Sequence, residues 1–318
     1  MTDRPVILVD SYNLFMRAFT VNPAMSSQGQ QIGGFVGYLT SLKVLCERLR
    51  PKRVVAVWEG GGAQRRRVIF KDYKSGRRPP RLNRYYENDI PDTPENQTNQ
   101  IRLTIEALRH LPVQQVYVPD CEADDVIGYV SRHLFSEDRL IVVSSDKDLY
   151  QLIDDRVTQW SPGQKRFITS EDVQAKFGVP PANMALVRSF IGDSSDNIPG
   201  IEGAGFKTMV KRFPRLATDP GLTVQDVLDD AQVQLDGGSK VKLIRNILDG
   251  ADTVRRNWRL MHLDVSNLSA DQVSRVRSSI DTYEPKRDKM RLLRLLTREG
   301  VQKFDVDSFF MSLSATAR

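Results

Sequence analysis

Four short runs of consecutive apolar residues punctuate the first half of the chain: Val6-Ile7-Leu8-Val9, Val54-Val55-Ala56-Val57-Trp58, Gln115-Val116-Tyr117-Val118 and Leu140-Ile141-Val142-Val143. Unbroken apolar character marks strands covered on both faces, as in a parallel sheet. Between the runs, apolar residues recur at helical spacing. Phe35, Leu39, Leu42, Val44, Leu45 and Leu49 do so over 34–49, Ile101, Ile105 and Leu108 over 96–110, and Val126, Ile127, Val130 and Leu134 over 122–135. This alternation predicts a doubly wound, mainly parallel α/β domain over residues 1–168. After about residue 170 the strand signals fade. Helical patterns at 182–191, 205–213, 238–249, 252–262, 269–281 and 286–299 predict an all-α domain over 169–305, the last of them an amphipathic packed helix. Residues 306–318 read as a poorly ordered or partner-binding tail.

Charge changes this picture locally. The 318 residues hold 46 Lys and Arg against 40 Asp and Glu, a formal +6. Residues 65–84 alone carry nine bases (Arg65, Arg66, Arg67, Lys71, Lys74, Arg77, Arg78, Arg81 and Arg84) and one acid, Asp72. That window is +8, and the other 37 bases and 39 acids leave the rest at −2. A concentrated basic patch interleaved with Tyr73, Tyr85 and Tyr86 suits a nucleic acid better than a merely solvated charge run. Two cysteines, Cys46 and Cys121, exclude a disulfide framework and point to a reducing, cytoplasmic setting. No run of eighteen apolar residues and no signal-peptide pattern occur.

The residues following the strands carry the chemistry. The first strand runs into Asp10 and the second into Glu59. The third is followed by Glu122, Asp124 and Asp125, and the fourth by Asp146 and Asp148. In an open parallel sheet the carboxyl ends of the strands line one crevice. A lone acid there is an ordinary helix cap. Seven converging carboxylates repel and call for cations. Oxygen donors without Cys or His select Mg²⁺, with Mn²⁺ able to substitute, and two such ions beside a basic patch suit phosphodiester cleavage. A second acidic stretch, Gly192-Asp193-Ser194-Ser195-Asp196-Asn197-Ile198-Pro199-Gly200, leads through Gly203 and Gly205 to a helix carrying Lys207 and Lys211. Exposed amides at such a turn can hold a duplex phosphate.

Together these blocks resemble the structure-specific 5′-nucleases: bacteriophage 5′-to-3′ exonucleases, flap endonucleases, and the 5′-nuclease domain of bacterial DNA polymerase I. The matching segments are Leu8-Val9-Asp10 with Arg17, Tyr73-Lys74 with Gly76-Arg77, Glu122-Ala123-Asp124-Asp125, Ser145-Asp146-Lys147-Asp148-Leu149, and the Gly192–Gly200 stretch. The resemblance implies a PIN-like nuclease domain followed by a helix–hairpin–helix domain. It makes Asp10, Glu122, Asp124, Asp125, Asp146 and Asp148 metal ligands, with Asp193 and Asp196 completing the second metal's surroundings. Glu59 stands where the family usually has Asp. Lys74 becomes the catalytic cation at the scissile phosphate and Arg17 a second phosphate contact, with Tyr73 available for base stacking. The resemblance also implies an arch over about 70–110 and a K⁺ ion held by carbonyls near Phe190, Ile191, Pro199, Ile201 and Ala204.

The implied substrates are DNA with 5′ flaps, nicks or free 5′ ends, and RNA primers, acted on by a monomer during replication. With no polymerase-sized segment after it, the chain looks more phage-like than polymerase-fused. Three rivals stay open at this level: a DNA-binding homologue with an altered centre, a structural metal module, and a related RNA-directed nuclease.

Overall fold

The computed structural model describes residues 4–76 and 94–317. Its base is a six-stranded sheet: β1 (Val6–Asp10), β2 (Arg53–Trp58), β3 (Gln114–Tyr117), β4 (Leu140–Val143), β5 (Val157–Ser161) and β6 (Arg166–Ile168). The spatial order is β3-β2-β1-β4-β5-β6, parallel except for β6. Both faces are covered, which explains the unbroken apolar runs. Ile7 and Val9 of β1 enter one core, and Val6 and Leu8 enter the other. The sheet thus has the expected doubly wound form, with β5 and β6 added.

Helices α1 (Ser11–Val21) and α2 (Gly33–Leu49) link β1 to β2. A short α3 (Gln64–Ile69) and α4 (Pro94–Leu108) follow β2. Helix α5 (Ala123–Tyr129), continuing as a π-helical turn over Val130–Leu134, lies between β3 and β4. Helices α1, α2 and α4 cover one face and α5 the other. Helix α4 falls inside the span expected to form an arch, yet it is fixed in the core. Leu103, Ala107 and Leu108 are buried, and the Gln100 side-chain carbonyl accepts the Gly34 and Phe35 amides at 2.8 and 3.1 Å. The rest of that span from Arg77 to residue 93, with Arg77 among the expected contacts, lies outside the described residues.

A separate helical body follows β6. It contains α6 (Ser170–Phe177), α7 (Met184–Ile191), α8 (Phe206–Arg212), α9 (Arg215–Thr218), α10 (Val224–Asp236), α11 (Lys242–Asp249) and α12 (Ala251–Met261). Its own core includes Phe190, Met209, Phe213, Ile244, Ile247 and Val254. Capping boxes fix the starts of α6 (Thr169 with Asp172) and α10 (Thr223 with Asp226).

After α12 the chain returns to the sheet. Gln151 fastens this return: its amide nitrogen donates to the Met261 and Asp148 carbonyls, and its oxygen accepts the Leu263 amide. Helix α13 (Ala270–Asp281) then packs on one face through Val276 and Ile280. Helices α14 (Lys289–Arg298) and α15 (Val306–Ser312) pack on the other through Leu292, Leu295, Leu296 and Phe309. Helical packing on the helical body therefore ends near Met261, not at 305. The segment expected as a loose tail is instead α15, with Val306, Phe309 and Leu313 buried.

Candidate active site

Strand β1 pairs with β2 on one side and β4 on the other, so the crossovers diverge there and open a crevice at the carboxyl ends. Asp10 sits at that point. Its carboxylate accepts the Asn13 amide at 3.1 Å, capping α1, and the Ser144 hydroxyl at 2.9 Å. The cap reading and the cluster reading of Asp10 both hold. The Ser144 oxygen also accepts the Asp146 amide, and Asp146 in turn accepts the Asp148 amide at 2.9 Å. Glu59 follows β2, and its carboxylate accepts the Ala123 amide at 3.3 Å. Glu122, Asp124 and Asp125 lie at the start of α5. The charge of Asp124 is felt at Asp10, Glu59, Asp146 and Asp148, so four strand ends do share one electrostatic field.

Among the described residues, three cations enter this field. Arg66 of α3 is 6% exposed; it grips Asp125 with both terminal nitrogens at 2.6 and 2.8 Å and also pairs with Glu122. Lys74 pairs with Glu122 and lies 3.9 Å from Asp196. Its backbone is left-handed (φ +56°), held by a 2.9 Å bond from its amide to the Asp196 carbonyl. Arg188, on the last turn of α7, lies 2.8 Å from Asp148 and also pairs with Asp193.

Burial sets the protonation behaviour. It pushes Asp10 up to about 7, and likewise Asp125 and Asp148. Glu59 rises to about 7 through burial, with Asp124 and Glu122 adding to it. Asp146 is raised for the same first reason. Burial opposes the Lys74 ammonium, yet the charges of Glu122, Asp196 and Asp124 outweigh it and hold its pKa above the ordinary value. Burial also opposes ionised Asp193, but bonds from Ser195 and the Arg188 charge keep that carboxyl below its usual range. A cluster that retains protons near neutrality is one in which a divalent cation can replace them.

Among the described residues, two groups of oxygens are close enough to share an ion. One comes from Glu122, Asp124 and Asp125 and the other from Asp148, Asp193 and Asp196; within each, the atoms lie within 4.8 Å of one another. The second group lines an open cleft of about 460 Å³, whose lining also includes Phe177, Met184 and Phe206. The donor set is all carboxylate, which fits a hard divalent ion.

The remaining expected residues divide by exposure. Arg65 and Arg67 are exposed on α3 and Lys71 just after it, and Lys207 and Lys211 are exposed on α8. Gly203 and Gly205 lie in the turn between α7 and α8, with Gly203 at φ +86°. This turn is tight: a Cβ on Gly200 would fall 1.9 Å from the Ile191 carbonyl oxygen. Arg17 is exposed and donates to the Gly163 carbonyl at 3.3 Å, beside the Ser145 loop. Around the turn, the carbonyls of Phe190, Ile201 and Pro199 accept from the Ile201 amide, the Ala204 amide and the Asn257 side chain. The Ile191 carbonyl faces Gly200, and Ala204 packs at the edge of the helical core.

Two expectations need correction. Arg66 is not a surface cation, because it is sunk beneath the carboxylates it pairs with. Tyr73 is not open for stacking: it is 4% exposed, and its hydroxyl donates to Glu122 at 3.1 Å and Asp196 at 3.3 Å. Sequence reading missed Ser144, Gln159 and Arg188. Gln159 donates to the Ser144 and Asp146 carbonyls at 2.8 Å from the unrecognised β5. Arg188 left one signal, a lone base on an otherwise apolar helix running into Gly192-Asp193.

A family model for the 5′-3′ exonuclease N-terminal resolvase-like domain matches residues 5–178. The chain belongs to the 5′-3′ exonuclease family. A 5′-3′ exonuclease of Bacillus subtilis is 31% identical over 220 residues, covering 66% of this chain and 70% of that one. The thermostable DNA polymerase I of Thermus filiformis is 32% identical over 208 residues, 65% of this chain but 23% of the polymerase. In structure, a phage T5 protein co-crystallised with metal ions superposes with a TM-score of 0.69 at 19% identity, covering 87% of this chain and 98% of that one. This 5′-3′ exonuclease is thus a hydrolase of nucleic-acid phosphodiesters on the T5-like fold.

Proposed function

We propose that this family member is a divalent-metal-dependent 5′-nuclease, using Mg²⁺ with Mn²⁺ able to substitute, that cuts DNA near 5′ ends and at single-strand/duplex junctions. One observation carries the reading. Carboxylates from five separate segments (Asp10; Glu59; Glu122, Asp124 and Asp125; Asp146 and Asp148; Asp193 and Asp196) fall in one field, with the Lys74 ammonium among them. A T5 flap endonuclease with the same fold has been crystallised with DNA and metal ions, which supports the junction preference. Divalent ions held by carboxylates of this field, Asp124 and Asp146 among them, would activate a water and offset phosphate charge. Lys74, aimed by its left-handed backbone, supplies a hydrogen-bond donor to the negative charge that develops as the phosphodiester opens. Arg17 steadies an adjacent phosphate. The exposed cations Arg65, Arg67 and Lys71 guide the 5′ strand.

The α7–turn–α8 unit acts as a helix–hairpin–helix grip on duplex backbone through Gly203, Gly205, Lys207 and Lys211, with K⁺ able to sit among the turn carbonyls. Removal of RNA primers and flaps during replication, by a monomer in the cytoplasm, is compatible with this arrangement. No helix among the described residues is long and apolar enough to cross a membrane. The test is incubation of labelled flap, nicked-duplex and single-strand substrates with Mg²⁺ and with chelator. Cleavage at junctions and 5′ ends that needs Mg²⁺ is the expected result. Failure to cut any substrate in Mg²⁺ or Mn²⁺ overturns the reading.

A further inference from the structure

We infer that Arg66 is a positioning residue of the metal centre, and that it withdraws Asp125 from metal ligation to serve as its anchor. The inference rests on the metal-dependent reading above and assigns a division of labour within the acidic cluster. Arg66 has five N–H donors, and four bonds from them are in place. Its Nε donates to the Leu260 carbonyl at 2.8 Å, on the last turn of α12. Nη1 bridges Glu122 and Asp125, while Nη2 completes a two-pronged grip on Asp125 at 2.8 Å. The side chain is 6% exposed, with the Tyr73 ring 5.9 Å from its guanidinium carbon.

Asp125 is committed on every side. Besides both Arg66 nitrogens, its Oδ1 accepts from the Asn267 amide at 2.9 Å. Oδ1 thus accepts two bonds and Oδ2 one, so three of about four acceptor sites are held by fixed donors. A carboxylate so held has little left to offer an ion and serves well to orient its neighbours. Asp124, one residue earlier, differs: it is half-buried, and among the described residues its Oδ1 accepts the neighbouring Asp125 amide at 2.8 Å. The guanidinium also explains how Glu122, Asp124 and Asp125 coexist at the start of one helix. It neutralises part of the cluster from beneath and leaves the face toward Asp10 and Asp146 for divalent ions. Because Arg66 is bonded to Leu260 as well, the same group fixes the carboxylates relative to the helical body.

The measurement is Mn²⁺ binding to the full chain without DNA, by calorimetry or electron paramagnetic resonance, alongside the Mg²⁺ dependence of cleavage and the melting temperature. Arg66→Gln is expected to weaken Mn²⁺ binding and raise the half-saturating Mg²⁺ by about 10- to 100-fold, with Arg66→Lys recovering part of the loss. Asp125→Asn is expected to lower the melting temperature but leave Mn²⁺ affinity within about threefold, whereas Asp124→Asn loses binding. Should Arg66→Gln fail to fold, the two aspartate variants still decide the matter. Equal loss of Mn²⁺ affinity in Asp125→Asn and Asp124→Asn overturns the assignment, as does Arg66→Gln with unchanged metal dependence. Unchanged Mn²⁺ binding in Asp124→Asn would instead sink the metal-dependent reading itself.

Discussion

Asp146 illustrates how much one side chain is asked to do. It is raised by burial, its backbone amide is held by the Ser144 hydroxyl oxygen, and it is close enough to Asp10 and Asp124 to share their charge. Asp146→Asn keeps the shape and removes the charge. Cleavage should fall by at least about 10²-fold while DNA binding in chelator stays within a few-fold; a gel-shift and cleavage pair measures both, and undiminished cleavage contradicts the role.

The same residues set a pH dependence. In the metal-free protein, burial holds Asp10, Glu59, Asp125 and Asp148 near 7, whereas in the unfolded chain they titrate at about 4. Between those values the folded state keeps protons that the unfolded state has released. Stability therefore falls as pH rises from about 4 to about 7, and levels off above. Asp193, with its lowered pKa, works in the opposite sense, but below pH about 4. Melting in chelator should drop by several degrees from pH 5 to pH 7, and excess Mg²⁺ should remove most of that drop. A melting temperature that climbs over this interval in chelator would refute the burial argument.

Among the elements, α15 makes the sharpest claim. Phe309 is fully buried against the sheet-side core, so Phe309→Ala should cost about 3–5 kcal/mol in denaturant unfolding; a loss under about 1 kcal/mol would mean the helix is not docked. On α8, Lys207→Ala should weaken duplex binding and lower the slope of log affinity against log salt by about one. An unchanged slope removes Lys207 from the grip.

What could be read in advance follows from the same physics. Strands β1, β2 and β4 announced themselves because both faces are buried. Strand β5 did not: Val157, Gln159 and Ser161 are its buried positions, and two of those are polar, with the Gln159 amide nitrogen bonded to the Ser144 and Asp146 carbonyls in a way composition does not reveal. The carboxylates were legible from their places after strands. Their counter-ions were not, since an arginine run such as 65–67 looks uniformly solvated until the helix turns one of its members inward.

At the scale of the whole molecule, two bodies share one site. The sheet contributes Asp10, Glu59, Glu122 and Asp146, and the loop after α7 contributes Asp193 and Asp196. Arg188 and Lys74 span the seam by pairing across it. The chain crosses that seam twice, outward after β6 and back at Leu263, where Gln151 clasps the returning backbone. The helical body is therefore hung like a bucket handle from two pivots rather than dangling from one string. That double attachment, together with the Arg66–Leu260 and Arg188–Asp148 contacts across the seam, keeps the acidic loop after α7 seated against the carboxylates of the sheet.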